Sequence, residues 1–559
     1  MGSQSSPVPT SEVDVLIVGS GFSGVCSLYH IRKQFPSWRV KAIDAAPDVG
    51  GTWYWNCYPG CRFDSESVSY TFSFDKGFLQ EWNWKETFSA QPETHKYIRT
   101  LAEKHDLYKD IQFNTTIKTA TWCDATRKWT MEDQHGDKYV TRFFVSCLGF
   151  LSAPTLPNIP GVENFQGQSF HTSRWPRDLN VKRDFAGKRV GVIGTGATGI
   201  QIITELSKEP ELKRLTVFQR TANWSAPLRN SEITPEQMAE YKKSYDATFD
   251  QCASTTSGFL HNADPRKSLD LTQEEREALW EKIYNEPGFG KWLGVFSDTY
   301  TDRQANHLYS QWMAKKIRAR INDTATAESL IPKNHGFGTR RVPLESGYFE
   351  AYNQPNVSLI DLQKTPITGM TENSIVTADG TSHELDILIF ATGFNAITGA
   401  FSAIDWHAKD SRPLLGTSDS EEGQKAIWVD HRSQTFLGVT VPSMPNMFMV
   451  LGPHQPFGNA TRSIEHAVAV ICGMLQHCQD NGFTYVEPTQ AAVDEWTEHV
   501  IECSKGALLN EIDSWMTGVN KNVKGKTTRS VARYGGDVKE YKRRCEACKQ
   551  AGYEGLVFR

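Results

Sequence analysis

The chain uses two patterns of hydrophobic positions in succession, and it uses the pair twice. From Val13 the apolar residues run almost without a break (VDVLIV), stop at Gly19-Ser-Gly21-Phe-Ser-Gly24, and return at helical spacing towards Phe35. An unbroken apolar run fits a strand covered on both faces, and the change to a period of three to four marks a helix. A second strand, WRVKAID, follows and ends in Asp44. The same order recurs from Lys188 (KRVGVIGTGATGIQIITEL), with glycines at Gly194, Gly196 and Gly199 and a second strand, RLTVFQR, running into Arg220 and Thr221. Each unit predicts a return through a strand that ends in glycine, FFVSCLGF at 143–150 and DILIFATGF at 386–394. A short β-rich stretch precedes each return, turning near Gly136 and at Asp379-Gly380. Residues 226–334 read as helical instead, with capped starts at Thr234-Pro235-Glu236-Gln237 and Thr272-Gln273-Glu274-Glu275.

These patterns predict an α/β protein with two Rossmann-like dinucleotide-binding domains and a helical insertion. The expected division is 1–150 and 391–559 for the first domain, 151–225 and 335–390 for the second, and 226–334 for the insertion. In each motif the glycines let the backbone turn tightly and approach a pyrophosphate, whose charge sits at the helix N-terminus. Asp44 can accept hydrogen bonds from ribose hydroxyls, so the first unit reads as a site for FAD or NAD. Arg220 and Thr221 offer a cation and a hydroxyl suited to a ribose 2′-phosphate, so the second reads as a site for NADP. Thr195, Thr198 and Gln201 belong to the same expected site. Such pairing resembles the glutathione-reductase-like flavoproteins, in which one domain holds FAD and the other brings nicotinamide to it.

The segment joining the units narrows the chemistry. Phe165-Gln-Gly167-Gln-Ser-Phe-His171-Thr-Ser-Arg-Trp175-Pro176 resembles, at every specified position, the F-x-G-x-x-x-H-x-x-x-W-[PD] fingerprint of the type I (class B) Baeyer–Villiger flavin monooxygenases. A second pattern of that family is met by Gly50-Gly51-Thr52-Trp53 through Tyr58-Pro59-Gly60 to Asp64. The resemblance spans about Val13 to Trp515. It implies an enzyme using FAD, NADPH and O₂ to turn a ketone into an ester or lactone through a C4a-peroxyflavin. The alternative is an N- or S-oxygenating flavin monooxygenase.

In the family an arginine reaches the flavin. Arg341, in Gly338-Thr339-Arg340-Arg341, matches it, and Asp64 matches its carboxylate partner. Thr52, Trp53, Trp55 and Tyr70 match flavin-contacting positions. Arg62 and Asp64 match positions at the nicotinamide end of NADP. Arg340 stands where lysine is usual and offers charge to the 2′-phosphate. Trp515, in Asp513-Ser514-Trp515, matches an indole that donates to bound cofactor; a core tryptophan is the other reading. His171 reads either as a proton carrier or as a linker residue bonded to backbone. Asp44 replaces the more usual glutamate, and Cys57 stands where arginine is common.

Composition adds exclusions. The 559 residues carry 60 basic and 65 acidic side chains, net charge −5, which gives no electrostatic reason to expect nucleic acid or an anionic membrane. No apolar run reaches the roughly 18 residues of a membrane span. The 11 cysteines form no disulfide scaffold, Cys57/Cys61 lacks the usual spacing of a flavin dithiol, Cys545/Cys548 is a single C-x-x-C without the second pair or histidines of a zinc site, and no metal is expected. A reducing, cytoplasmic setting fits. Gly2 and Ser6 match a myristoylation pattern, without the second signal that stable anchoring needs.

Overall fold

The structure, a computed structural model, describes residues 10–559, so Gly2 and Ser6 lie outside the described residues. Two sheets organise it. The first holds, in order, Asp405–His407, Ile117–Cys123, Lys128–Asp133, Lys138–Ser146, Thr10–Val18, Val40–Ile43 and Ile111–Gln112, with Met447–Met449 also paired to Lys138–Ser146. Thr10–Val18 runs parallel to both Val40–Ile43 and Lys138–Ser146, and the register sets Val18 beside Ile43 and Ser146. Those three strand ends therefore open at one edge. The meander Ile117–Ser146 is antiparallel and turns at Gly136, which has φ 89°.

The second sheet is wholly parallel, in the order Val357–Asp361, Arg214–Gln219, Arg189–Ile193, Ile387–Phe390, Gln168–His171. Its register sets Ile193 beside Phe218 and Phe390, and Phe390 beside His171, so the fingerprint histidine ends the edge strand. The antiparallel stretch Ile367–Glu384 turns at Gly380.

After each first strand comes the helix the pattern predicts, Phe22–Gln34 and Ala197–Leu206. Val15, Ile17, Val25, Leu28, Val190, Val192, Ile200 and Ile203 are buried in one continuous core. Within 226–334 the helices include Pro235–Ser254 and Gln273–Asn285. Both start with a reciprocal capping box, Thr234 with Gln237 and Thr272 with Glu275, which satisfies backbone donors that would otherwise be unpaired. Among the described residues no helix is long and apolar enough to cross a membrane.

Candidate active site

One cavity of about 1810 Å³ runs along the edges where both glycine turns open. The linker (Ser173, Arg174), the insertion (Phe259, Phe289, Trp292) and the turn Asp513–Trp515 also border it. Of the residues expected at the site, Gly24, Gly199 and Asp64 stand behind the wall; the others line it. Gly24 and Gly199 act through close approach. A Cβ at Gly24 would lie 1.8 Å from the Gly19 carbonyl oxygen, and one at Gly199 2.1 Å from that of Gly194.

Asp64 and Arg341 form the central pair. Arg341 Nη2 lies 2.8 Å from Asp64 Oδ2, and the same oxygen accepts from the Leu344 backbone N–H at 3.1 Å. The Asp64 carboxylate has no exposure, whereas the Arg341 side chain is 29% exposed on the cavity side of the pair. Arg341 Nη1 and Asp64 Oδ1 are both buried without a hydrogen-bond partner.

Several neighbours hold the walls in place. The Trp53 indole donates to Tyr70 Oη at 3.1 Å, and Tyr70 stacks on Phe63. The Arg174 guanidinium lies over the Trp55 ring, 4.4 Å from its centre. Gln201 ties the second nucleotide unit to the first: its Oε1 accepts from Tyr58 Oη at 2.7 Å, and its Nε2 donates to the Arg62 carbonyl at 3.0 Å. Arg62 is itself engaged by Glu86 at 3.3 Å. The Thr195 hydroxyl donates to the Thr221 carbonyl at 3.0 Å, joining turn to strand end.

Asp44 is differently occupied from the ribose contact that its place in the motif suggests. Its carboxylate accepts from the backbone N–H and hydroxyl of Ser20 and from the Ala46 N–H at 2.7 Å. A carboxylate offers about four acceptor positions, so little capacity remains. The short arm clamps the glycine turn itself. Burial raises the Asp44 pKa against these bonds.

His171 accepts the Ser173 N–H at Nδ1 (3.1 Å) and donates from Nε2 to the Gly393 carbonyl at 3.1 Å. Burial pushes its pKa down to about 4, so the ring is neutral. It pins the linker to the returning strand of the second sheet, the kind of backbone contact that the linker reading calls for. Cys57 and Cys61 are free thiols whose pKa values burial raises, Cys61 to about 12, so neither presents a ready thiolate.

This arrangement suits dinucleotides. The helices Phe22–Gln34 and Ala197–Leu206 begin at Gly21 and Gly196 with no side-chain cap and no acid in the first turn, leaving backbone donors free for an anion. Buried, unpartnered nitrogens of Arg340 and Arg341 add positive charge on the same cavity.

Residues 13–242 match the flavin-binding monooxygenase-like family. The chain is 39% identical to the 2-oxo-Δ³-4,5,5-trimethylcyclopentenylacetyl-CoA monooxygenase of Pseudomonas putida, over 97% of this chain and 98% of that one. It is 38% identical to the cyclohexanone 1,2-monooxygenase of an Acinetobacter species, over 98% and 96%. A crystal structure of OTEMO in complex with FAD and NADP superimposes with a TM-score of 0.91 at 39% identity, covering 98% of this chain and 99% of that one.

Proposed function

The chain belongs to the Baeyer–Villiger family of flavin-dependent monooxygenases, and on that premise we propose that Arg341, held by Asp64, is the charge that steers oxidation of the ketone. The enzyme uses FAD and NADPH to insert one O₂-derived oxygen beside a ketone carbonyl, giving an ester or lactone. The observation that carries the role of Arg341 is the pair itself: a buried carboxylate on one side, a guanidinium with a free buried nitrogen on the other, at the wall of the cavity.

The first glycine turn with Thr52, Trp53, Trp55 and Tyr70 would hold FAD, and the second with Arg220, Thr221 and Arg340 would hold NADPH. Bound flavin supplies the redox and oxygen chemistry. The protein supplies position and field. Asp64 fixes the fork of Arg341, so that its remaining donors meet negative charge as it gathers on the carbonyl oxygen. Phe259, Phe289 and Trp292 line the same cavity and would keep water from a bound flavin, which would strengthen that field. A fixed cation favours anions at the reacting centre, which supports carbonyl attack over N- or S-oxygenation.

The test is product analysis with a panel of cyclic ketones and a thioether, alongside anaerobic reduction by NADPH. Arg341→Ala is expected to cut lactone formation by about 100-fold or more, the scale for losing a transition-state donor. Asp64→Asn should also impair turnover and lower the melting temperature, because breaking one side of a buried pair costs about 3–5 kcal/mol. Sulfoxide with no lactone across the panel, or full turnover by Arg341→Ala, overturns the reading.

A further inference from the structure

We propose that Arg533 is a specificity-determining residue that binds a carboxylate on the substrate, so that the enzyme prefers ketones bearing an acid group to neutral ketones. Arg533 lines the cavity next to Tyr534, Gly535 and Gly536. Its Nε is buried without a partner, and among the described residues no hydrogen bond or ion pair engages its guanidinium. Burial lowers its pKa with no carboxylate near enough to oppose that effect. The acid that follows in sequence, Asp537, is turned to other work: it caps the helix Val538–Gln550 through the Lys539 N–H at 2.8 Å and lies 3.5 Å from Lys539 Nζ.

The backbone around Arg533 is fixed on both sides. The Ala532 carbonyl accepts from the His454 N–H at 3.2 Å, and the Tyr534 N–H donates to the Gln455 carbonyl at 3.1 Å. Ala532 packs against Ala396 and Ile397. The side chain is therefore held at the cavity by a rigid frame. A guanidinium without a counter-charge in such a place favours an anion that joins it. The nucleotide phosphates have other partners in the proposed site, namely two uncapped helix N-termini and the Arg220–Arg340 pair. The anion left to account for is one the substrate brings. The planar guanidinium fork matches a carboxylate in two-point contact.

This inference rests on the Baeyer–Villiger reading for the ketone but not for the anion. The test uses flavin-loaded wild type, Arg533→Met and Arg533→Lys, each checked by its flavin spectrum. The substrates are 2-oxocyclopentylacetate and its methyl ester, and binding of the ketone-free cyclopentylacetate is followed by flavin fluorescence. Wild type is expected to favour the acid over the ester in kcat/KM. Arg533→Met should lower that acid-to-ester ratio about 30-fold, the scale of a charged hydrogen-bond pair, with Arg533→Lys keeping part of it. Cyclopentylacetate should bind wild type more tightly than Arg533→Met. If cyclopentylacetate binds in an Arg533-dependent way while neither ketone is converted, the anion site stands and the ketone reading fails. An acid-to-ester ratio that is the same in wild type and Arg533→Met overturns the proposal, as does a Met variant that loses NADPH affinity instead, which would assign the residue to a cofactor phosphate.

Discussion

Arg340 Nη2 donates to the Asp513 carbonyl at 2.8 Å, so the segment carrying Arg341 is latched to the turn that carries Trp515. The latch uses only one nitrogen. Arg340 Nε stays buried and unpartnered, and burial lowers the Arg340 pKa, the Asp513 carboxylate opposing the shift and Arg220 adding to it. Two guanidinium groups thus sense each other at the cavity, with the Asp513 carboxylate offsetting part of the effect on Arg340.

A ribose 2′-phosphate would relieve that repulsion, and NADH has none. Arg220→Ala and Arg340→Ala are each expected to shrink the NADPH-over-NADH preference in kcat/KM about ten- to hundredfold, the range for a hydrogen bond to a charged group. The effect should come through the NADPH term, with NADH nearly unmoved. A preference unchanged in both variants would remove these residues from the phosphate site.

The glycine turns, the strands around them and the capping boxes at Thr234 and Thr272 were readable along the chain, because each depends on residues within a few positions of one another. The strands Asp405–His407 and Met447–Met449, which complete the first sheet, were not. Three residues are too short for a hydrophobic period to register. At the site, residue types were legible and partners were not. Asp44 reads as a ribose contact, while its Oδ2 accepts from Ser20, 24 positions away, and its Oδ1 from the Ala46 N–H. Gln201 read as a cofactor contact, while its amide bridges to Tyr58 and Arg62 across more than a hundred residues. The cation of Arg174 over Trp55 left no mark in the local sequence. Arg341 and Asp64 could be paired only through family resemblance, since 277 positions separate them and nothing in either segment points to the other.

Acid should destabilise the fold well before its carboxylates titrate. His30, His171, His431, His454 and His466 are each held neutral by burial with pKa values down to about 4, and His335 to about 3, against a reference of 6.5. The unfolded chain binds protons at these positions below pH 6.5 and the folded chain does not. Their contribution is therefore complete above pH 6.5 and is lost as pH falls from there towards 4. The urea midpoint is expected to drop steadily between pH 7 and pH 5, and His171→Gln should flatten part of the slope. A midpoint that is level or rises over that interval contradicts the neutral, buried state.

Gly196 and Gly199 separate the two uses of glycine in one motif. Gly199 faces the chain: its added Cβ would strike the Gly194 carbonyl at 2.1 Å, so Gly199→Ala must push strand and helix apart. Gly196 faces the cavity, with φ −77° and nothing within 4 Å of a built Cβ. An alanine there fits the folded chain and restricts the unfolded one, which stabilises by about 0.4–1 kcal/mol. It would nonetheless stand where a pyrophosphate must approach the backbone. Gly196→Ala should therefore melt at or slightly above the wild-type temperature and keep its flavin, yet bind NADPH at least tenfold more weakly. Gly199→Ala should melt lower and weaken NADPH as a consequence. Calorimetry paired with NADPH titration distinguishes them, and a Gly196→Ala protein that binds NADPH like wild type would place the nucleotide somewhere other than this turn.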